Sequence, residues 1–163
     1  GAADSSRQLA LAYAKGIGGG FPLGACLATE KAARGMGFGS HGSTYGGNPL
    51  GCAVGNAVVN IIGTDAFLED VNRKAGLMRQ KLEGLVASHP DVFESVRGSG
   101  LMLGLKCKAT NSDVVAAGYR HEVITVPAAD NVIRLLPPLN ITDEDIAEAV
   151  SRLDQAASSL AAS

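Results

Sequence analysis

The chain has 163 residues, 46% of them hydrophobic and 18% charged, with a formal net charge of −2 at pH 7. That length holds one ordinary domain, or one domain with part of another. No Lys/Arg block marks a nucleic-acid face, and no apolar run reaches the roughly 18 residues that a membrane helix needs.

Residues 1–8 are polar and patternless, and a short apolar stretch, Leu9 to Ala14, ends at Lys15. A glycine-rich region follows to Gly47, with a strand predicted at Ala25–Ala28 and a helical turn at Glu30–Gly35. After Pro49 the apolar period becomes 3.6, and Leu50, Ala53, Val54, Ala57, Val58, Ile61 and Ile62 fall on one stripe of a predicted helix. Gly51 and Gly55 sit on that helix, where Gly costs about 1 kcal/mol relative to Ala, so both mark close packing. Gly63-Thr64-Asp65 interrupts, with Thr64 or Asp65 as N-cap. A second helix runs through Phe67, Leu68, Val71, Ala75, Met78, Leu82 and Leu85 until His89-Pro90 stops it, because proline disfavours helix at the residue before it.

Val96 to Lys106 reads as one bent strand or a strand–turn–strand, with bends at Gly98 and Gly100. Asn111 to Arg120 reads as a helix, and Val123–Val126 with Val132–Leu136 as a hairpin around Ala129-Asp130-Asn131. Thr142 is the expected cap of the last helix, whose first turn holds Asp143, Glu144 and Asp145, where the helix dipole favours negative charge. Its buried stripe is Ile146, Val150, Leu153, Ala157 and Leu160. The fold class is therefore α/β, with helices over one face of a short, mostly antiparallel sheet. Residues 48–163 are expected to form connecting helices and a small α/β domain, and residues 1–47 are not expected to close a core alone.

The three cysteines, Cys26, Cys52 and Cys107, are far apart and odd in number. They fit reduced, buried thiols of a cytoplasmic protein better than disulfides. The histidines have no metal-ligand spacing, so no metal is expected. The start of the chain lacks the basic and apolar regions of a signal peptide.

Of the 21 glycines, 13 fall between Gly16 and Gly55. A flexible linker would bring Ser and few apolar residues, whereas Phe21, Leu23 and Leu27 are interleaved here. A dinucleotide fingerprint needs glycine where Phe21 or Leu23 stands, and Pro22 would fall inside its helix. A phosphate-binding P-loop needs lysine after its last glycine, whereas Lys15 precedes them. A third reading makes Lys15 a nucleophilic amine, with small neighbours Ala14 and Gly16 that let a flat cofactor approach. On local features alone, Lys15 is also readable as a solvated surface charge.

The wider wording adds to this. Lys15-Gly16 followed by Gly18-Gly19-Gly20-Phe21-Pro22-Leu23-Gly24-Ala25 resembles the lysine segment of class III aminotransferases dependent on pyridoxal phosphate. His41-Gly42-Ser43-Thr44-Tyr45-Gly46-Gly47-Asn48-Pro49-Leu50 resembles their second signature. Val96-Arg97-Gly98-Ser99-Gly100-Leu101-Met102-Leu103-Gly104 and Ile133-Arg134-Leu135-Leu136-Pro137-Pro138-Leu139 resemble the two C-terminal ones. Within the family the wording is most similar to the branch acting on N-acetylornithine, with those acting on succinylornithine, ornithine and 4-aminobutyrate close by.

The resemblance implies the fold type I of such enzymes, here its C-terminal small domain (48–163) plus a remnant of the large domain (1–47). It implies an aminotransferase of arginine biosynthesis, cytoplasmic and homodimeric at full length. Its donor would be N-acetylornithine-like, its acceptor 2-oxoglutarate, with no nucleic-acid or membrane partner. Lys15 would join the cofactor covalently and then shuttle a proton. Ser43 and Thr44 would reach across the dimer interface to the phosphate of the other subunit's cofactor, unless they form a plain turn. Arg134 would sit near the substrate carboxylate, unless it is a surface strand charge. Arg97 reads as structural.

The family's upstream phosphate loop, ring-stacking aromatic and pyridine-nitrogen aspartate find no match in these residues. The chain alone is thus expected to have little transaminase activity, with a non-catalytic α/β module or assembly partner as the alternative. Leu9, Leu11, Phe21 and Leu27 are expected to lack partners and to favour self-association or disorder.

Overall fold

The structure is a computed structural model and describes residues 10–161. The polar opening and Leu9 lie outside the described residues. The chain divides into two units, one through Phe67 and one from Leu68.

In the first unit the apolar stretch becomes a strand, β1 (Ala10–Ala14). It pairs antiparallel with β2 (Gly24–Ala28), Tyr13 facing Ala25 and Ala14 facing Gly24. A 3-10 turn over Lys15–Gly18 opens the connection between them. Helix α1 (Glu30–Ala33) is capped by Thr29, whose hydroxyl accepts from the Ala32 N–H. Helix α2 (Pro49–Ile62) opens with Pro49, whose missing N–H costs nothing in a first turn. Its cap is Asn48, whose side-chain oxygen accepts from the Gly51 N–H at 2.7 Å.

The expected apolar stripe of α2 is not a buried face. Leu50 and Ile61 are 63% and 62% exposed, and the buried residues are Gly51 and Gly55. The reason is close approach: a Cβ at Gly55 would lie 2.8 Å from Leu23 Cδ2. The helix thus meets the glycine-rich segment through Gly55 against Leu23 and Val58 against Gly19, and leaves Leu50, Val59 and Ile61 exposed. Helix α2 belongs to the unit that runs through Phe67.

In the second unit, α3 (Asp65–Ser88) starts under the Thr64 hydroxyl, which accepts from the Phe67 N–H, and ends before His89-Pro90. A four-stranded antiparallel sheet follows, in the order β3 (Phe93–Ser99), β4 (Met102–Cys107), β6 (Val132–Leu135), β5 (Val126–Ala128). Helix α4 (Asn111–Arg120) lies between β4 and β5 in sequence, and α5 (Asp143–Ala161) closes the chain. Alternation along β4 and β6 sends Leu103, Leu105, Cys107, Ile133 and Leu135 to one face. There they form a core with Met78, Leu82 and Leu85 of α3, Val114 of α4, and Ile146 and Leu153 of α5. At about 25 cal/mol per Å² of apolar surface, this burial is what holds the unit together.

Two expectations need correcting. The first strand of the hairpin begins at Val126, not Val123: the Val123 N–H still bonds back to Gly118 O at 2.9 Å, with Glu122 at φ 58°, so the chain is leaving α4 there. Of the cysteines only Cys107 is buried, which pushes its thiol pKa up. Cys26 and Cys52 are exposed because β2 is exposed along its length and Cys52 lies off the glycine face of α2.

Candidate active site

Lys15 stands where β1 ends and the 3-10 turn begins, exposed and in the left-handed region at φ 59°. A non-glycine residue there stores about 1–3 kcal/mol, a cost seen where the surrounding structure fixes a functional side chain. The turn after it is closed by the Gly19 N–H donating to Gly16 O at 3.0 Å. A Cβ at Gly16 would meet nothing within 4 Å, so the space beside Lys15 is open.

Ser43 lines a cleft of about 210 Å³ with Pro22, Leu23 and Gly24 of the same glycine-rich segment, and with Asn48 and Cys52. Two turns shape its loop: the Gly46 N–H donates to Ser43 O, and the Asn48 N–H to Tyr45 O, each at 3.3 Å. The Asn48 side chain ties the loop to α2, since its amide donates to Tyr45 O at 2.9 Å while its oxygen caps the helix. Asn48 was not singled out from the sequence, although Asn before Pro and an apolar period is a readable cap signal. Thr44 is exposed in the same turn.

Arg134 belongs to the second unit. It sits in β6, facing Gly104 of β4 and Val126 of β5. Its side lies opposite the core, whose residues here are Ile133 and Leu135. It is exposed and has no ion pair among the described residues. Arg97 also faces Gly104, from β3, so the two arginines share a row and a face. They differ in their partners. Arg97 is held by Asp130, which also accepts from Lys106 Nζ at 2.8 Å. Hydrogen bonds from Lys106 and then Arg97 hold the Asp130 carboxyl below the usual carboxylate range. Arg97 is thus engaged in the fold, whereas Arg134 is not so held among the described residues.

Lys15, Ser43 and Thr44 thus belong to one unit and Arg134 to the other. Among the described residues no group of three or more His, Cys, Asp or Glu side chains is placed to hold a metal ion, and no single helix is long and apolar enough to cross a membrane.

Comparison with known proteins gives a family model, described as aminotransferase class-III, that matches residues 10–157. The acetylornithine aminotransferase of Rhodobacter capsulatus is 66% identical over 147 residues, covering 90% of this chain and 37% of that protein. That of Mesorhizobium japonicum is 58% identical over 151 residues, covering 93% and 38%. The crystal structure of acetylornithine aminotransferase from Elizabethkingia anophelis superposes with a TM-score of 0.81 at 30% identity, over 94% of this chain and 41% of that one. The chain spans less than two fifths of the length of these curated relatives.

Proposed function

The chain belongs to the class III aminotransferases, and on that premise we propose that it supplies the lysine and the substrate-facing small domain of an enzyme that moves an amino group from an N-acetylornithine-like donor to 2-oxoglutarate. The observation that carries this reading is Lys15 itself, exposed at φ 59° at the head of a glycine turn with open space beside it. The 66% identity to a relative called acetylornithine aminotransferase supports the choice of donor.

The residues fit pyridoxal phosphate in their chemistry: a primary amine at Lys15 for the aldehyde, and the Ser43 and Thr44 hydroxyls as uncharged donors for a phosphate. When bound, the cofactor supplies the sink for the electron pair left on the substrate carbon. Lys15 Nζ, as the unprotonated amine, would take up the proton released at that carbon and give it up again on the cofactor side. Arg134 holds a substrate carboxylate through its planar fork, two N–H groups to two oxygens. Ser43 and Thr44 serve the cofactor of the partner subunit in a cytoplasmic homodimer.

The test is reductive trapping. After incubation with pyridoxal phosphate and reduction with borohydride, the added mass should map to Lys15 and vanish in Lys15→Ala. Transamination of N-acetylornithine with 2-oxoglutarate by the full-length cofactor-loaded enzyme should fall by about 10²–10⁴-fold or more in that variant, the range expected for a positioned proton-transfer group. Label spread evenly over surface lysines such as Lys31 and Lys108, or retained in the variant, would overturn the assignment.

A further inference from the structure

We propose that Asn131 is a positioning residue for Arg134, fixing the register that keeps the arginine on the open face of the sheet; the inference rests on reading Arg134 as a carboxylate contact. The β5–β6 hairpin is short, with only Val126–Arg134, Pro127–Ile133 and Ala128–Val132 paired. On its other side β6 pairs with β4 over four residues and buries Ile133 and Leu135, and a slip by one residue would turn Arg134 into the core position of Ile133. The turn before β6 adds to that hold at the end of the strand nearest Arg134's own hairpin.

Asn131 does so from a left-handed backbone at φ 52°, a region asparagine tolerates better than most residues. Its amide donates to Cys107 O at 2.7 Å and to Ala109 O at 2.8 Å. Its side-chain oxygen accepts from the Asn111 N–H at 2.8 Å, one of the orphan donors in the first turn of α4. The adjacent Thr110 leaves that turn uncapped, its hydroxyl being given to Asp113. The Asn131 carbonyl accepts from the Cys107 N–H at 2.9 Å. From the other side, the Asn111 amide clasps Ala128 O at 3.0 Å and Val132 O at 3.2 Å, one carbonyl on each strand. The two asparagines thus lock the hairpin to the end of β4 and the start of α4, and Arg134 follows immediately along β6.

Only an amide fits this place. An aspartate would set a carboxylate against the Cys107 and Ala109 carbonyls, replacing two hydrogen bonds by repulsion while keeping the shape.

The experiment uses the cofactor-loaded enzyme and three substitutions. Asn131→Asp should raise KM for both carboxylate substrates roughly tenfold, the size of one lost charged hydrogen bond, with kcat kept within about twofold. Glutarate binding, measured by calorimetry without turnover, should weaken by a similar factor. Arg134→Lys is the control. If Asn131→Asp lowers Tm but leaves KM and glutarate affinity unmoved while Arg134→Lys changes both, the inference falls and the reading of Arg134 stands. If Arg134→Lys changes neither, both fall. Should Asn131→Asp not fold, Asn111→Ser, which releases the Ala128 and Val132 carbonyls, is read by the same criteria.

Discussion

At the scale of single residues, the backbone does unusual things where the side chains matter. Lys15, Asp130 and Asn131 all stand at positive φ, and each heads a turn that aims a charge or locks a strand. Gly98 shows the same demand in its strictest form. It sits at φ 109° next to the β3–β4 turn, and a Cβ there would lie 2.1 Å from Met102 O. No rotation relieves a clash with a backbone oxygen in a paired strand. Gly98→Ala should therefore destabilise the protein by about 2–4 kcal/mol, read as a lower urea midpoint; an unchanged midpoint would refute the strain. Gly55 is a milder case, since the atom a Cβ would meet there is the end of the Leu23 side chain, which can move.

At the scale of elements, helices α3 and α5 are joined by more than their apolar faces. Arg73 of α3 donates to both oxygens of Asp143 at 2.8 and 2.9 Å and to Asp70 at 2.9 Å. Asp143 lies in the first turn of α5, where the helix dipole adds to its stabilisation. The Arg73 guanidinium holds the Asp143 carboxyl below its ordinary value of 3.8, and Lys74 and Arg73 do the same for Asp70. A carboxyl whose folded pKa is depressed contributes fully above its unfolded pKa. That contribution is lost as pH falls through the lower folded value. Asp143→Asn should accordingly flatten the dependence of Tm on pH below about pH 4. The effect should be small and should shrink in high salt, because the groups are exposed. Equal slopes for the two proteins would show that the clamp carries no linkage.

At the scale of the whole molecule, the two units differ in how they satisfy their apolar residues. The unit from Leu68 has a closed core, with Leu82, Leu105, Ile133 and Ile146 wholly buried. The unit before it exposes Leu27, Phe38, Tyr45, Leu50 and Ile61. It also holds an apolar cleft of about 440 Å³ lined by Tyr13, Ile17, Leu27, Val59 and Ile62. Of the residues expected to lack partners, Leu27 is 59% exposed, while Leu11 and Phe21 are half-buried. Apolar surface of this extent drives association. The 163-residue chain should self-associate as concentration rises, and Leu27→Lys with Ile61→Lys should reduce this while leaving the core of the second unit intact. Sedimentation velocity decides; a single monomeric species at high concentration would count against it.

Much of this was legible in the sequence because it is local. The helix over Asn111–Arg120, the stop at His89-Pro90, the caps at Thr64 and Thr142 and the buried stripe of α5 follow from period, proline and side-chain oxygen, each acting within a few residues. The family was legible for a different reason, since the wording around Lys15 is shared with a family whose model spans residues 10–157. What the sequence left undecided is what depends on neighbours far along the chain. Period alone gave α2 its apolar stripe, but which face is buried was settled by Leu23 meeting Gly55. The exposure of Cys26 and Cys52 likewise depends on which faces of β2 and α2 are covered. The lock that Asn111 and Asn131 form between α4 and the hairpin joins residues 20 apart and has no periodic signature. Propensity and capping act over one turn of chain, so sequence determines them; burial and register require distant segments to meet, and only the tertiary structure says which ones do.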